Sequence, residues 1–120
     1  MSKKNLWWGR SVSLNLHGCE PKLLKDPKAL EYFAHKLSKL LRMKRMGPTE
    51  VKRFGHGDLR GYSMIQFIET SSIVAHFDEK GQRAFIDVFS CKKYNPKIVI
   101  KFCKDYFKAK SLSTLKEERV

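Results

Sequence analysis

Apolar and polar residues alternate along several stretches of the chain in the pattern of half-buried strands. Residues 10–16, RSVSLNL, alternate in this way, and a short strand is predicted at 51–54. Three longer β signals follow, YSMIQFIET, SSIVAHFD and RAFIDVFS, and the last two are separated by the turn EKGQ. A final strand is predicted through 111–115, before the charged tail KEERV. The pattern therefore predicts six strands.

Two helices are predicted where an acceptor side chain is followed directly by proline, at Asp26-Pro27 and Asn95-Pro96. Apolar residues then recur at spacings of three and four, the period of one helix face. These stripes comprise Leu30, Phe33, Ala34, Leu37, Leu40 and Leu41 in the first helix, and Ile98, Val99, Phe102, Cys103, Tyr106 and Phe107 in the second. The order β-α-β-β-β-β-α-β predicts an α+β fold, a two-layer sandwich with an antiparallel sheet and two helices packed on one face.

The turn EKGQ also predicts which residues face each other in its hairpin. If the turn is symmetric about Lys80-Gly81, the numbers of facing residues sum to about 161. Ser71 then faces Ser90, and Cys91 lies one step away on the diagonal. The pattern thus predicts that a serine and a cysteine lie within a few Å of each other.

Length and charge limit the classes of protein that fit this chain. The 120 residues are enough for one domain, 1–120, with a single core. The formal net charge is +13, which favours an anionic partner or solubility alone. No apolar run is long enough to span a membrane and no signal peptide is recognisable, so we expect a cytoplasmic protein without a membrane partner. The three cysteines and four histidines lack metal-ligand spacing, so neither a disulfide nor a metal site is favoured.

The stretch 61–91, GYSMIQFIETSSIVAHFDEKGQRAFIDVFSC, resembles the core of the small prokaryotic S-adenosylmethionine decarboxylase proenzymes. The family pattern there is roughly GVSxxxxxxESHxxxHTWPExGYxxxDxFTC. Ser63, Ser71, His76, Asp87 and Cys91 fall on family positions without a gap. The resemblance extends more weakly to WGRSVSLNLHGCE upstream and through the second helix.

This resemblance implies a self-cleaving enzyme. In the family, the serine at the position of Ser71 attacks the preceding carbonyl, here that of Thr70, and becomes a covalent pyruvoyl group at the start of a new chain. That group forms a Schiff base with the substrate amine and withdraws electrons as CO₂ leaves. By resemblance, Ser63 and His76 serve the cleavage as hydrogen-bond donor and base, and Cys91 returns a proton to the substrate. No metal is implied.

The resemblance also implies a substrate and a partner. We expect S-adenosylmethionine decarboxylation that supplies aminopropyl groups for spermidine, by a homodimer with sites near its interface. Phe54 matches the aromatic residue that stacks on adenine, and Glu69 and Glu79 are further candidates for binding substrate. Several positions differ from the family pattern: Thr70 replaces a glutamate and Ser72 a histidine, Lys80 replaces the ribose-binding carboxylate, and Asn15 replaces an acidic residue.

These differences leave two alternatives open. The same chemistry could act on a basic amino acid such as arginine or ornithine, with Glu69, Asp78, Glu79 and Asp87 as local acidic groups. Alternatively, the chain is a relative that does not cleave itself and acts as a partner or regulator of an active enzyme. A nucleic-acid partner is not favoured, because Gln82 and Arg83 occupy the place of the first stacking aromatic in the RNA-binding pattern that KGQRAFIDVF resembles.

Overall fold

Six antiparallel strands form one sheet in the computed structural model, which describes residues 6–120. The strands are β1 (Gly9–His17), β2 (Glu50–Phe54), β3 (Gly61–Ile68), β4 (Ser71–Asp78), β5 (Arg83–Ser90) and β6 (Ser111–Arg119). Their order across the sheet is β2-β3-β4-β5-β1-β6. The predicted α+β class and the predicted order of elements are confirmed.

Two long helices pack against one face of the sheet, and a single-turn helix precedes them. The helices are α1 (Pro21–Leu24), α2 (Pro27–Leu40) and α3 (Pro96–Phe107). The side chains of Asp26 and Asn95 accept hydrogen bonds from the first turns of α2 and α3, as predicted from the Asx-Pro pairs. The sequence analysis did not predict α1. No helix within residues 6–120 is long and apolar enough to cross a membrane.

The core lies between the helices and one face of the sheet, to which every second strand residue contributes its side chain. Strand residues such as Leu14, Met64, Ile73, Ala75 and Ile86 are buried there. The α2 stripe buries four of its six predicted residues completely, and Val99, Cys103 and Phe107 of α3 are likewise inaccessible. The alternate strand residues point away from the helices, and we call this side of the sheet the outer face.

Three local features differ from the prediction. Leu40 and Ile98 belong to the predicted stripes but are about half exposed, and each lies in the terminal turn of its helix. Strand β6 was predicted to end at 115, before the charged tail, but it continues four residues further. It does so because β1 offers partners along its whole length and Arg10 forms an ion pair with Glu118 at 2.8 Å.

Candidate active site

The hairpin of β4 and β5 pairs Ser71 with Ser90, as the turn predicted. The two hydroxyl oxygens lie 2.6 Å apart and share a hydrogen bond. Ser90 is completely buried, and its hydroxyl also accepts a hydrogen bond from the Lys92 backbone nitrogen at 2.8 Å. The Met43 sulfur lies 3.3 Å from the Ser71 hydroxyl oxygen. These contacts hold the Ser71 side chain in one orientation, on the core side of the sheet.

The peptide bond before Ser71 has an unusual environment. Thr70 has a φ of 61°, a left-handed conformation that a β-branched residue rarely adopts. Its carbonyl oxygen accepts a hydrogen bond from the backbone nitrogen of Cys91 at 3.1 Å. The backbone of Thr70 is therefore strained, and its carbonyl group, which precedes Ser71, is polarised by a fixed donor.

A cavity of about 500 Å³ opens beside this peptide bond. It is lined by Thr70, Ser71, Ser72 and Cys91 and by four aromatic side chains, those of Trp7, Trp8, Phe67 and Phe89. The ring of Trp8 stacks on that of Phe89, with centroids 5.9 Å apart. Among residues 6–120 the lining contains no charged residue, so the cavity suits an apolar or planar group held next to Ser71.

Ser63 and His76 form the second pair of the predicted catalytic set. They face each other on β3 and β4, and the Ser63 hydroxyl oxygen lies 2.8 Å from His76 Nδ1. His76 is exposed and both side chains lie on the outer face. The hydroxyl therefore fixes the orientation of an imidazole that is open to a reactant.

The two predicted pairs do not meet within one chain. Ser71 and His76 lie five residues apart on β4, which corresponds to about 17 Å along a strand. Because five is an odd number, their side chains also point to opposite faces of the sheet. We call Thr70, Ser71, Ser90 and Cys91 the cleavage cluster, and Phe54, Ser63, His76 and Glu79 the histidine cluster.

The substrate-binding candidates are divided between these clusters. Glu69 lies in the turn before Thr70, and its backbone nitrogen donates to the Lys44 carbonyl oxygen at 2.9 Å. Phe54, at the end of β2, is exposed, and Glu79 lies at the same end of the sheet. Arg53 donates two hydrogen bonds, of 2.9 and 2.6 Å, to the Glu79 carboxylate, and these lower the pKa of that carboxyl.

Other charged residues near the histidine cluster are also paired. Lys80, at the family's carboxylate position, forms an exposed ion pair with Asp58 at 2.7 Å. The backbone nitrogen of Gly81 and the side chain of Arg83 both donate to Asp78, and these hydrogen bonds lower its pKa. Asp87 instead accepts a hydrogen bond from Ser13 on the outer face.

The three cysteines differ in their surroundings. Burial raises the pKa of Cys19 to about 11 and raises that of Cys103 as well, so both thiols stay protonated. Cys91 is half-buried at the mouth of the aromatic cavity and is the cysteine placed to reach a bound molecule. Within residues 6–120, no three histidine, cysteine or acidic side chains come together in a possible metal site.

Several residues in or around the cleavage cluster were not among the predicted site residues. Ser90 could have been recognised from the hairpin register, which already placed it opposite Ser71. Met43 and Trp8 reach the site from distant parts of the chain, so no local pattern identifies them. Trp7 and Trp8 were not predicted to mark a ligand site, whereas both line the cavity.

Comparisons of sequence with known proteins identify the family. The sequence pattern of the family described as S-adenosylmethionine decarboxylase matches residues 10–120. An arginine decarboxylase proenzyme from Caldivirga maquilingensis is 32% identical over 87 residues, which are 72% of this chain and 64% of that protein. The matched segment thus spans less than two thirds of that relative's length.

The fold is also shared with a solved structure. The crystal structure of the adenosylmethionine decarboxylase from Aquifex aeolicus VF5 superposes with a TM-score of 0.79, over 94% of this chain and 91% of that one. The sequences are only 14% identical, so this likeness concerns the fold. The match over residues 10–120 shows that the chain belongs to the S-adenosylmethionine decarboxylase family.

Proposed function

We propose that this chain is a pyruvoyl-dependent amino-acid decarboxylase, a carboxy-lyase that activates itself by cleavage between Thr70 and Ser71. The observation that carries the proposal is the hydrogen bond from the Cys91 backbone nitrogen to the Thr70 carbonyl oxygen. This donor would stabilise negative charge on that oxygen when the adjacent hydroxyl attacks. The left-handed conformation of Thr70 adds strain that cleavage would release.

The proposed cleavage combines the cleavage cluster with a base, the role that the family resemblance gives to His76. The Ser71 hydroxyl loses its proton and attacks the Thr70 carbonyl carbon, the C–N bond breaks, and an ester replaces the peptide bond. His76, as that base, then takes the Ser71 α-proton, the bond to the side-chain oxygen breaks, and Thr70 leaves as a carboxylate. Water replaces the nitrogen of the resulting enamine, after tautomerisation, and ammonia leaves. The products are residues 1–70 and a pyruvoyl-capped chain that begins at position 71.

The site fits such a group because Ser71 borders an uncharged cavity that also contains Cys91. The pyruvoyl group supplies an electron-withdrawing ketone to an amino-acid substrate. The chain's own contribution would be to orient that substrate between the aromatic side chains and to exclude water. The half-buried Cys91 thiol lines the same cavity and would deliver a proton to the product.

We also propose that the enzyme works as a homodimer, because its two clusters are about 17 Å apart in one chain. If two copies pack outer face to outer face about a two-fold axis, the histidine cluster of each can approach the aromatic cavity of the other, which Phe67 and Phe89 line from the outer face and which borders Ser71. The outer face exposes large apolar side chains suited to such contact, among them Trp8 and Phe67.

Complementation between two inactive variants tests this arrangement. Ser71→Ala lacks the cleaved serine and His76→Ala lacks the base, so each homodimer should be inactive. When the two are co-expressed in equal amounts, each mixed dimer has one site with both groups intact. About a quarter of wild-type activity is expected. Activity that stays at background would contradict a site shared between two copies.

Two substrates are supported by different observations. S-adenosylmethionine, for spermidine biosynthesis in the cytoplasm, is supported by the family and by an aromatic cavity suited to a planar base. Arginine is supported by the name of the Caldivirga relative. The pairing of Glu79 with Arg53, and the lysine at position 80, also weaken the ribose-binding site that S-adenosylmethionine requires.

Intact-mass spectrometry of freshly purified protein tests the proposal first. Two chains, 1–70 and a pyruvoyl-capped 71–120, are expected for the wild type, and one uncut chain for Ser71→Ala. Ser72→Ala serves as the matched control and should cleave normally. CO₂ release is then measured with S-adenosylmethionine, arginine and ornithine. A wild-type chain that stays uncut for days would instead favour the relative that does not cleave itself.

A further inference from the structure

The two layers of the fold carry very different charge. Residues 26–47 and 91–110, which contain α2, α3 and their adjoining loops, hold thirteen lysines and arginines and three acidic residues. That net charge of +10 is most of the +13 of the chain. The strand residues of the outer face carry three basic and four acidic side chains: Lys52, Arg83 and Arg119, and Glu50, Asp78, Asp87 and Glu117. Positive charge is therefore concentrated on the side away from the outer face.

A groove on this basic side has a defined shape. Lys36, Lys39, Leu40, Arg42 and Phe102 line a cavity of about 540 Å³ between the end of α2 and the middle of α3. A second cavity of about 350 Å³ shares Arg42 and adds Lys44 and Lys92 to the lining. Its lining also contains Met43, the carboxylate residue Glu69 and Thr70 of the cleavage cluster, so basic side chains outnumber acidic ones there by three to one. We call the two together the basic groove.

The cations of the basic groove are available to a ligand. In the described part of the chain, Lys36, Lys39, Arg42, Lys44 and Lys92 form no ion pair with a carboxylate, and all five are exposed. Lys92 Nζ donates only to the Arg42 carbonyl oxygen, at 3.2 Å. This hydrogen bond holds the Lys92 ammonium group close to Arg42. Like charges so close together repel each other, and an anion in the groove would relieve that repulsion.

We propose that the basic groove binds single-stranded RNA. Phosphates of the strand would lie along Lys36 and Lys39, which are neighbours on one face of α2, and along Arg42, which follows the end of that helix and lines the same cavity. Exposed Tyr32, with the Lys36 ammonium 5.3 Å from its ring centroid, and Phe102 border these cations and offer surfaces for bases. A concave basic groove with aromatic edges fits a single strand better than a flat membrane. This inference does not depend on the proposed decarboxylase activity.

Fluorescence anisotropy with a labelled oligouridine of about 20 nucleotides tests the proposal. The groove variant combines Lys36→Gln, Lys39→Gln and Arg42→Gln. The control variant has the same net charge and combines substitutions outside the groove: Lys22→Gln, Lys25→Gln and Lys116→Gln. At ~0.1 M salt we expect binding at least about tenfold weaker for the groove variant and changed less than about threefold for the control. The dependence of log K on log salt should become shallower by about 2 in the groove variant.

A second measurement uses the wild-type protein and does not depend on how the variants fold. Ultraviolet cross-linking to oligouridine followed by mass spectrometry should place the cross-links within 32–45 or 92–102. Equal loss of affinity in both triple variants would overturn the proposal, since net charge alone would then explain binding. Cross-links confined to the outer face would also overturn it, as would tighter binding to vesicles of anionic phospholipid than to RNA.

Discussion

The backbone nitrogen of Cys91 lies 3.1 Å from the carbonyl oxygen of Thr70 and donates a hydrogen bond to it. This contact links the end of β5 to the turn that precedes β4. It belongs to the backbone, so a change of the Cys91 side chain leaves it in place. The thiol and the amide of one residue can therefore be assigned different roles, and mutation separates them.

Cys91→Ala should retain self-cleavage and lose turnover. The hydrogen bond to the Thr70 carbonyl persists in the variant, whereas the thiol proton donor is gone. We expect cleavage within about twofold of wild type and kcat lower by about 100-fold. Intact mass reports the first quantity and CO₂ release the second. An uncut Cys91→Ala chain would show that the thiol is needed earlier than proposed.

Ser90→Ala should slow self-cleavage by about tenfold, because the Ser71 hydroxyl loses the partner that orients it at 2.6 Å. Ser90→Thr keeps a hydroxyl at the same position and is the matched control, expected to cleave at nearly the wild-type rate. The time course of the uncut chain, measured by mass spectrometry after translation in vitro, distinguishes the two variants. Equal rates for alanine and threonine would remove Ser90 from the mechanism.

Thr70→Gly should relieve strain in the uncut chain. Glycine adopts a φ of 61° without the steric cost that threonine has there. In a Ser71→Ala background, which prevents cleavage, we expect the free energy of unfolding to rise by about 1 kcal/mol. Urea denaturation measures this change. Glycine also raises the entropy of the unfolded chain, so only a decrease of more than about 1 kcal/mol would mean that the left-handed conformation stores no strain.

Gly61→Ala should destabilise the fold strongly. A Cβ atom at this position would lie 1.8 Å from the Phe77 carbonyl oxygen, so backbone must move to admit it. We expect a loss of about 2 kcal/mol or more. Gly57→Ala is the control, since its Cβ would meet nothing within 4 Å and only its φ of 57° adds cost. Urea denaturation of both variants, each in the Ser71→Ala background, compares them, and similar losses would contradict the clash.

Asp78 should make stability depend on pH in the acidic range. Its pKa is lowered in the folded state, first by the Gly81 backbone nitrogen and then by Arg83, so folding favours the carboxylate. That contribution is complete above about pH 5 and is lost as the pH falls through the folded pKa. Asp78→Asn should therefore cost about 1 kcal/mol at neutral pH and progressively less below about pH 4.

Urea denaturation at several pH values, again in the Ser71→Ala background, checks this dependence. Asp58→Asn is a suitable control, because its ion pair with Lys80 is exposed on both sides and should contribute little at any pH. A cost for Asp78→Asn that is the same at neutral and acidic pH would contradict the assigned cause.

Sequence patterns were sufficient for most of the fold because their causes are local. Asx-Pro pairs mark the starts of α2 and α3, and the turn after Asp78 fixes the pairing of Ser71 with Ser90. The odd spacing of Ser71 and His76 already implied opposite faces, but the sequence analysis treated them as one site. Trp8 and Met43 could not be predicted, since they reach Ser71 only through tertiary packing.

The strand order has a consequence for the cleaved protein. A cut after Thr70 divides the sheet so that β1, β2 and β3 belong to one chain, and β4, β5 and β6 to the other. Strand β1 lies between β5 and β6, so the two chains interleave and cannot part without dismantling the sheet. Once unfolded, however, they become separate molecules, and refolding becomes a second-order reaction that slows on dilution. Maturation would thus convert a chain that refolds alone into one whose recovery from denaturation depends on its concentration.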